Sequence, residues 1–245
     1  MIQVKQEIIR IDLGGVNCYL LKEDESFILV DTGGHLTLDK QFDSRREKLI
    51  RQLDANGCSA ENLKLVLFTH GDSDHTANAV YIKKRYNVAL AMHPEDIELV
   101  NHPDIDQWME TFRYRSFIHK LVFALMKNNM KRLTLKALEE FESFKPDILV
   151  DEGFDLAPYG FAAKVLHIPG HTKGSIGILT PQNDLIAGDI FTNPGKPAKA
   201  MNAGDFKVME ASIERLKKMN IQTVYPGHGE PFAAWYYYGR AKSKR

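Results

Sequence analysis

The stretch Leu65-Val66-Leu67-Phe68-Thr69-His70-Gly71-Asp72-Ser73-Asp74-His75 begins as a strand and ends in a crowd of metal-ligand side chains. Its first four residues are aliphatic or aromatic without a polar interruption, the composition of a strand covered on both faces. Gly71 follows almost at once and permits a turn, so His70, Asp72, Asp74 and His75 are predicted in a loop at a strand end. Two imidazoles and two carboxylates within six residues form a donor set suited to a divalent cation.

Four further apolar runs end in the same way. Phe27-Ile28-Leu29-Val30 leads to Asp31-Thr32-Gly33-Gly34, and Val165-Leu166-His167-Ile168 leads to Pro169-Gly170-His171. Leu185-Ile186-Ala187 meets Gly188-Asp189, and Thr223-Val224-Tyr225 meets Pro226-Gly227-His228. Function collected on loops at one edge of a rigid sheet is the ordinary arrangement. Solvated surface residues are the ordinary reading of any single loop histidine; the repetition is what argues for a site.

In this order and spacing, His70-x-x-x-Asp74-His75, Gly170-His171-Thr172 with Gly174-Ser175, Gly188-Asp189 and Pro226-Gly227-His228-Gly229 resemble the metallo-β-lactamase superfamily of binuclear metallohydrolases. The resemblance runs from about residue 17 to residue 232. It implies an α/β fold, the αββα sandwich, with two divalent metal ions in a cleft at one edge of the sheets. By the same resemblance, His70 and His171 hold the first ion, Asp74, His75 and His228 hold the second, and Asp189 bridges them. Asp31 becomes a carboxylate that orients a ligand.

Asp72 departs from the pattern, because the family usually has a ligating histidine there. If that histidine ligates through its δ nitrogen, an aspartate δ oxygen lies the same number of bonds from the backbone. Asp72 either takes that place or faces solvent or substrate; the sequence leaves both open. As a ligand it changes the charge. Two divalent ions are already opposed by Asp74, Asp189 and a bridging hydroxide, and Asp72 makes the site formally neutral, hence a weaker Lewis acid. Such a site favours harder ions, so iron or manganese stands beside zinc, the metal expected first. A related branch, the diiron oxygen and nitric-oxide reductases, resembles this chain in having a carboxylate at that place.

The activity implied is hydrolysis of a small ester, lactone, thioester or amide by metal-bound hydroxide. Asp74 orients the hydroxide and Asp189 holds the two ions together, which makes these two the catalytic carboxylates. Alternatives are a non-haem iron oxidoreductase, suggested by Asp72, and a metal-binding sensor without turnover. The chain offers no flavodoxin-length second domain and no Gly-rich phosphate loop to support the redox reading. Efficient antibiotic hydrolysis is not expected, since Asp189 stands where a cysteine would bridge and no export signal is read.

Composition agrees with one compact unit, residues 1–245. Cys18 and Cys58 are too few for a disulfide framework and are expected as buried thiols. The 32 basic and 32 acidic residues balance, and the short basic tail of Arg240, Lys242, Lys244 and Arg245 is no nucleic-acid stripe. The charged start, Met1-Ile2-Gln3-Val4-Lys5-Gln6-Glu7, lacks the apolar core of a signal peptide, so a cytoplasmic location is expected. No membrane span is read, and the expected partner is a small-molecule substrate. His35, His93, His102, His119 and His167 match no ligand position.

Strands are predicted over 8–11, 17–21, 27–30 and 88–92, and helices over 42–56 and 77–85. From about residue 94 to 147 the pattern is helical and lacks any motif. Ile118, Leu121, Val122, Leu125, Met126, Met130 and Leu133 recur at three and four residue steps, an apolar stripe with Arg113, Arg115, Lys120, Lys127, Lys131 and Arg132 on the polar side. We read this segment as an insertion that walls or lids the metal cleft. A core helix, a membrane-surface contact and a homodimer contact stay open.

Overall fold

The computed structural model describes residues 6–34, 42–111 and 113–238. His35 and the basic tail residues lie outside them. One sheet runs β1 (Gln6–Asp12), β2 (Asn17–Glu23), β3 (Ser26–Val30), β4 (Leu63–Leu67), β5 (Leu90–Met92) and β6 (Ile148–Leu149). Its first three strands pair antiparallel and the rest join in parallel. The second sheet contains β7 (Lys164–His167), β8 (Ile176–Leu179), β9 (Leu185–Asn193), β10 (Ala198–Lys199), β11 (Thr223–Gly229) and β12 (Phe232–Ala233). In space they run β12, β11, β9, β8, β7, with β10 also on β9.

Side chains alternate across a strand, and here both faces are covered, which is why the strands read as unbroken apolar runs. Ile28 and Val30 of β3, with Leu65 and Leu67 of β4, point between the sheets onto Val165, Ile176 and Ile186. Their neighbours Phe27, Leu29, Val66 and Phe68 point the other way. There they meet α1 (Phe42–Ala55), through Leu49 and Leu53, and Ile82 and Tyr86 of a later helix. Between these helices a short α2 (Ser73–Thr76) precedes α3 (Ala79–Tyr86).

The segment between β5 and β6 holds α4 (Ile97–Asn101), α5 (Ile105–Glu110) and α6 (Phe117–Glu140). On the outer face of the second sheet lies α7 (Phe206–Leu216). Asp205 caps it, accepting from the N–H groups of Lys207 and Val208 at 2.8 and 3.0 Å. Met209, Ile213 and Leu216, one helical face, bury onto Ile168, Ala187 and Val224. The four layers are thus helix, sheet, sheet, helix: the αββα architecture expected from the motifs. Both thiols are buried, as expected. No described helix is long and apolar enough to cross a membrane.

Two local expectations change, and one open reading is narrowed. The metal-loop cluster is partly helical, because Asp74 and His75 stand on α2. Asp189 and His228 lie within β9 and β11, which pair in parallel through irregular register at Pro226, rather than beyond the strand ends. The apolar stripe of α6 is not buried as a whole: Ile118, Leu121, Val122, Leu125 and Met126 are exposed, and the buried residues of the helix are Thr134 and Ala137.

Candidate metal centre

The two sheets meet at an edge where β4, β7, β9 and β11 deliver His70, His171, Asp189 and His228, while α2 delivers Asp74 and His75. All seven residues singled out in the sequence converge here. His171 Nε2 is 3.0 Å from Asp72 Oδ2 and 3.8 Å from Asp189 Oδ2. His70 Nε2 lies 3.8 Å from Asp72 Oδ2 and 4.0 Å from Asp189 Oδ2. On the other side, His228 Nε2 is 2.9 Å from Asp189 Oδ2 and 3.5 Å from Asp74 Oδ2, and His75 Nε2 is 3.4 Å from Asp189 Oδ1. Three overlapping donor groups result: His70, Asp72 and His171; Asp74, His75 and His228; and His70, His75 and Asp189.

Each imidazole is anchored by its Nδ1, which leaves Nε2 facing inward. His75 Nδ1 is 2.9 Å from Asp31 Oδ2, so Asp31 does orient a member of the cluster. His70 Nδ1 is 2.9 Å from Thr69 Oγ1, and that hydroxyl donates to Asp31 Oδ2 at 2.8 Å. His171 Nδ1 meets the carbonyl of Asn202 at 3.3 Å, and His228 Nδ1 meets that of Gly15. Asp31 has φ of 60°, a left-handed conformation that costs a non-glycine residue roughly 1 kcal/mol and persists only where the surroundings impose it.

Three buried polar atoms, His70 Nε2, His75 Nε2 and Asp189 Oδ1, have no hydrogen-bond partner among the described residues. Buried polar groups are otherwise nearly always satisfied. A Cβ on Gly227 would stand 2.0 Å from Asp189 Oδ1 and 2.9 Å from His75 Cε1, so this close approach requires glycine. Imidazole and carboxylate donors converging with open lone pairs fit a pair of divalent cations.

The electrostatics are those of a coupled cluster. Burial and the neighbouring His75 push His70 down to about 3, so its ring is neutral. Burial also disfavours a charged His171, but the hydrogen bond and charge of Asp72 outweigh it and raise the ring to about 9. His228 likewise reaches about 9 against its burial, through Asp189 and then Asp74. Burial raises Asp74, whereas His228 and His75 hold Asp189 far below the usual carboxylate range despite its burial.

Residues the motifs do not reveal support the cluster. Asp96, buried beside α4, accepts from Gly71 N–H at 2.9 Å, Thr172 Oγ1 at 2.7 Å and Gly174 N–H at 2.7 Å. It ties the His70 loop to the His171 loop. A Cβ on Gly174 would sit 2.7 Å from its Cγ. Asn17 and Tyr19 donate across the sheets to the carbonyl of Pro226 at 2.8 and 2.6 Å, fixing the strand that bears His228. Nothing in sequence spacing marks Asp96; its position in Pro94-Glu95-Asp96 reads as an ordinary helix start.

His93, Asp151 and His167 form another gathering of ligand-type residues, and the two rings stack with centroids 4.1 Å apart. His93 Nδ1 accepts from Glu95 N–H at 3.2 Å, so the proton sits on Nε2, 3.2 Å from Asp151 Oδ1. That ring has no lone pair left for a metal. His102, paired with exposed Glu98, and His119, stacked near Tyr114, also lie apart from the centre.

The cleft over the centre has a volume of about 330 Å³. Trp108, Thr111, Thr134 and Ala137, from α5, its end and α6, form one wall, and Phe191, Met201 and Asn202 form another. The helical segment thus does wall the cleft.

The chain belongs to the metallo-β-lactamase superfamily, whose family model matches residues 11–228. Hydroxyacylglutathione hydrolase GloC of Haemophilus influenzae is 27% identical over 228 residues, 91% of this chain and 90% of its own length. The probable metallo-hydrolase MJ0888 of Methanocaldococcus jannaschii is 26% identical, covering 87% of each chain. Among solved structures, BLEG-1 B3 metallo-beta-lactamase superposes with TM-score 0.66 at 21% identity, over 93% of this chain and 94% of that one. TTHA1623 in a di-iron-bound form gives 0.62 at 22%, with the same coverage. A metal-dependent hydrolase is the general class these relatives define.

Proposed function

We propose that this chain is a binuclear metallohydrolase acting on a small ester, lactone, thioester or amide. Residues 1–245 then form one catalytic unit, with the helices of 94–147 added as a wall of its cleft. The observation that carries this reading is the set of orphaned inward-facing atoms, His70 Nε2, His75 Nε2 and Asp189 Oδ1, inside a ring of further imidazoles and carboxylates.

His70, Asp72 and His171 would hold one cation and Asp74, His75 and His228 the other, with Asp189 available to both. Divalent cations at these positions supply Lewis acidity toward a substrate carbonyl and an attacking water. Asp74, half-buried at the cleft, orients that water and receives its proton. Asp31, Thr69 and the carbonyls of Gly15 and Asn202 hold the rings so that the Nε2 lone pairs stay aimed inward. Trp108, Phe191 and Met201 take an apolar acyl portion. No Lys or Arg lines the described cleft, which favours a neutral substrate over a polyanionic one. The likeness to GloC supports the thioester arm of the class.

The test is elemental analysis of protein purified without added metal, followed by a panel of aryl esters, lactones, acylglutathione thioesters and nitrocefin. Two divalent ions per chain and chelator-sensitive hydrolysis of a neutral ester or lactone are expected. Asp74→Ala should cost several kcal/mol of transition-state stabilisation, roughly a thousandfold in rate. Full activity in that variant or after chelation contradicts the proposal. Tight metal binding with no turnover on the panel would favour a sensor instead.

A second reading, iron-based redox chemistry, draws on the hard carboxylate of Asp72 and on the di-iron form of TTHA1623. Iron with redox-active absorbance in the purified protein would promote it.

A further inference from the structure

The outer face of α6 joins two properties that soluble surfaces rarely combine. Phe117 is 79% exposed, Ile118 69% and Leu125 81%, with Leu121 and Val122 exposed beside them. At steps of three and four these five share one side of the helix, away from Thr134 and Ala137 at the cleft. Residues 111–138 also carry Arg113, Arg115, Lys120, Lys127, Lys131, Arg132 and Lys136 and not one carboxylate, in a chain whose 32 basic and 32 acidic residues balance overall. Arg113, Arg115 and Lys136 pair with Glu110, Glu210 and Glu140. Lys120, Lys127, Lys131 and Arg132 make no ion pair among the described residues. At the start of the helix Arg113, Arg115 and Lys120, with Tyr114, Phe123 and Phe206, line a cavity of about 550 Å³.

We propose that this face docks on the surface of an anionic lipid bilayer, with Phe117, Ile118, Leu121 and Leu125 among the acyl chains and Lys120, Lys127 and Lys131 over the headgroups. Over the first three turns of the helix, exposed apolar side chains stand beside unpaired cations, the combination that seats a helix in the membrane interface. The cavity of Arg113, Arg115 and Lys120 accommodates one phosphate headgroup. A second copy of this chain fits less well. A two-fold contact sets each patch against itself, and the facing cations would find no carboxylate within 111–138 to neutralise them. Docking places the helix that walls the cleft on the lipid surface, independently of which bond the centre cleaves.

The experiment is co-sedimentation of the full chain with vesicles of phosphatidylcholine alone and of phosphatidylcholine with phosphatidylglycerol. Binding is expected on the anionic vesicles, weakening as salt rises, and little on the neutral ones. Lys120→Glu/Lys127→Glu/Lys131→Glu should lower affinity by about fivefold or more per position. Leu121→Asp/Leu125→Asp, at exposed positions that leave the core untouched, should abolish it. Absence of binding to anionic vesicles, or binding that survives the leucine variant, overturns the proposal. So does a dimer in sedimentation velocity that the leucine variant dissociates, which would assign the face to a second copy.

Discussion

Asp72 Oδ2 stands 3.0 Å from His171 Nε2, the atom through which that imidazole faces the centre. A carboxylate aimed at solvent or substrate would leave the ring free; this one is turned inward, 3.8 Å from His70 Nε2 as well. Asp72 therefore contributes a negative oxygen to the same pocket. With Asp74 and Asp189 it brings the local carboxylates to three, which compensates two divalent charges more fully than a histidine would.

Replacing Asp72 by histidine should restore one net positive charge to the centre. We expect Asp72→His to shift metal preference toward zinc and away from iron and manganese, and to change the hydrolytic rate. Metal content by plasma mass spectrometry after growth in mixed metals measures the first effect. Identical metal content and kinetics in both proteins would show that Asp72 is not a ligand.

Asp31 receives Thr69 N–H at 2.8 Å, Thr69 Oγ1–H at 2.8 Å and the ring of His75 at 2.9 Å. In Asp31→Asn one oxygen becomes an NH₂ that cannot accept: at Oδ2 both Thr69 Oγ1–H and the His75 ring lose their acceptor, at Oδ1 the Thr69 N–H does. Metal affinity should fall about 10- to 100-fold, the usual effect of losing a partner that orients a ligand. Competition with a chromogenic chelator measures it, and an unchanged affinity would mean that the ring is held by packing alone.

Asp96 makes its contribution between loops. Three donors converge on its carboxylate, and Asp96→Asn turns an amide N–H toward one of them; the loss should be on the order of 2–3 kcal/mol of stability. If the clamp also sets the spacing of His70 and His171, metal affinity falls together with stability, and Asp96→Glu restores neither because its carboxylate, one methylene further out, no longer meets the three donors of Gly71, Thr172 and Gly174. Denaturant titration and chelator competition on the same samples separate the two effects. Lost stability with unaltered affinity would limit Asp96 to holding the fold.

Much of this was legible in the chain because local chemistry and global architecture agree at the strand ends. Phe27 to Val30 and Leu65 to Phe68 read as strands buried on both faces, and their alternate residues do enter two different layers. The seven ligand candidates came from motif order, and folding gathers them. What stayed hidden depends on long-range pairing. Asp96 reaches Thr172 across 76 positions, and Asn17 reaches Pro226 across 209, separations that no window of sequence spans. The helix α7 carried a readable signal in Asp205 and the spacing of Met209, Ile213 and Leu216, which the motif reading passed over. The stripe of α6 shows the converse, since periodicity reports an apolar face without saying whether the protein itself covers it.

The metal-free centre should behave as a proton trap. His171 and His228, each raised to about 9 by facing carboxylates, and His75, raised well above the ordinary value against its burial by Asp189, Asp74 and Asp31, are cationic at pH 7 in the folded apoprotein. Cations must displace those protons, so filling the centre with zinc at pH 7 should release about three of them, and affinity should rise with pH until the three rings are neutral. The same groups fix the sign of the stability change. Their folded values exceed the ordinary imidazole value of about 6.5 expected of the unfolded chain, so the native state binds protons more tightly. The stabilising contribution of His171 and His228 is complete below pH 6.5 and fades as pH climbs through 9. Thermal melts of the apoprotein from pH 6 to pH 9.5 should therefore decline, while metal-loaded protein, with these rings committed as neutral ligands, should lack that decline. Calorimetric titration of zinc in buffers of different ionisation enthalpy counts the protons directly. Zinc uptake with no proton release at pH 7, or an apoprotein that gains stability across this range, would show that His171 and His228 are not paired with Asp72 and Asp189 in solution.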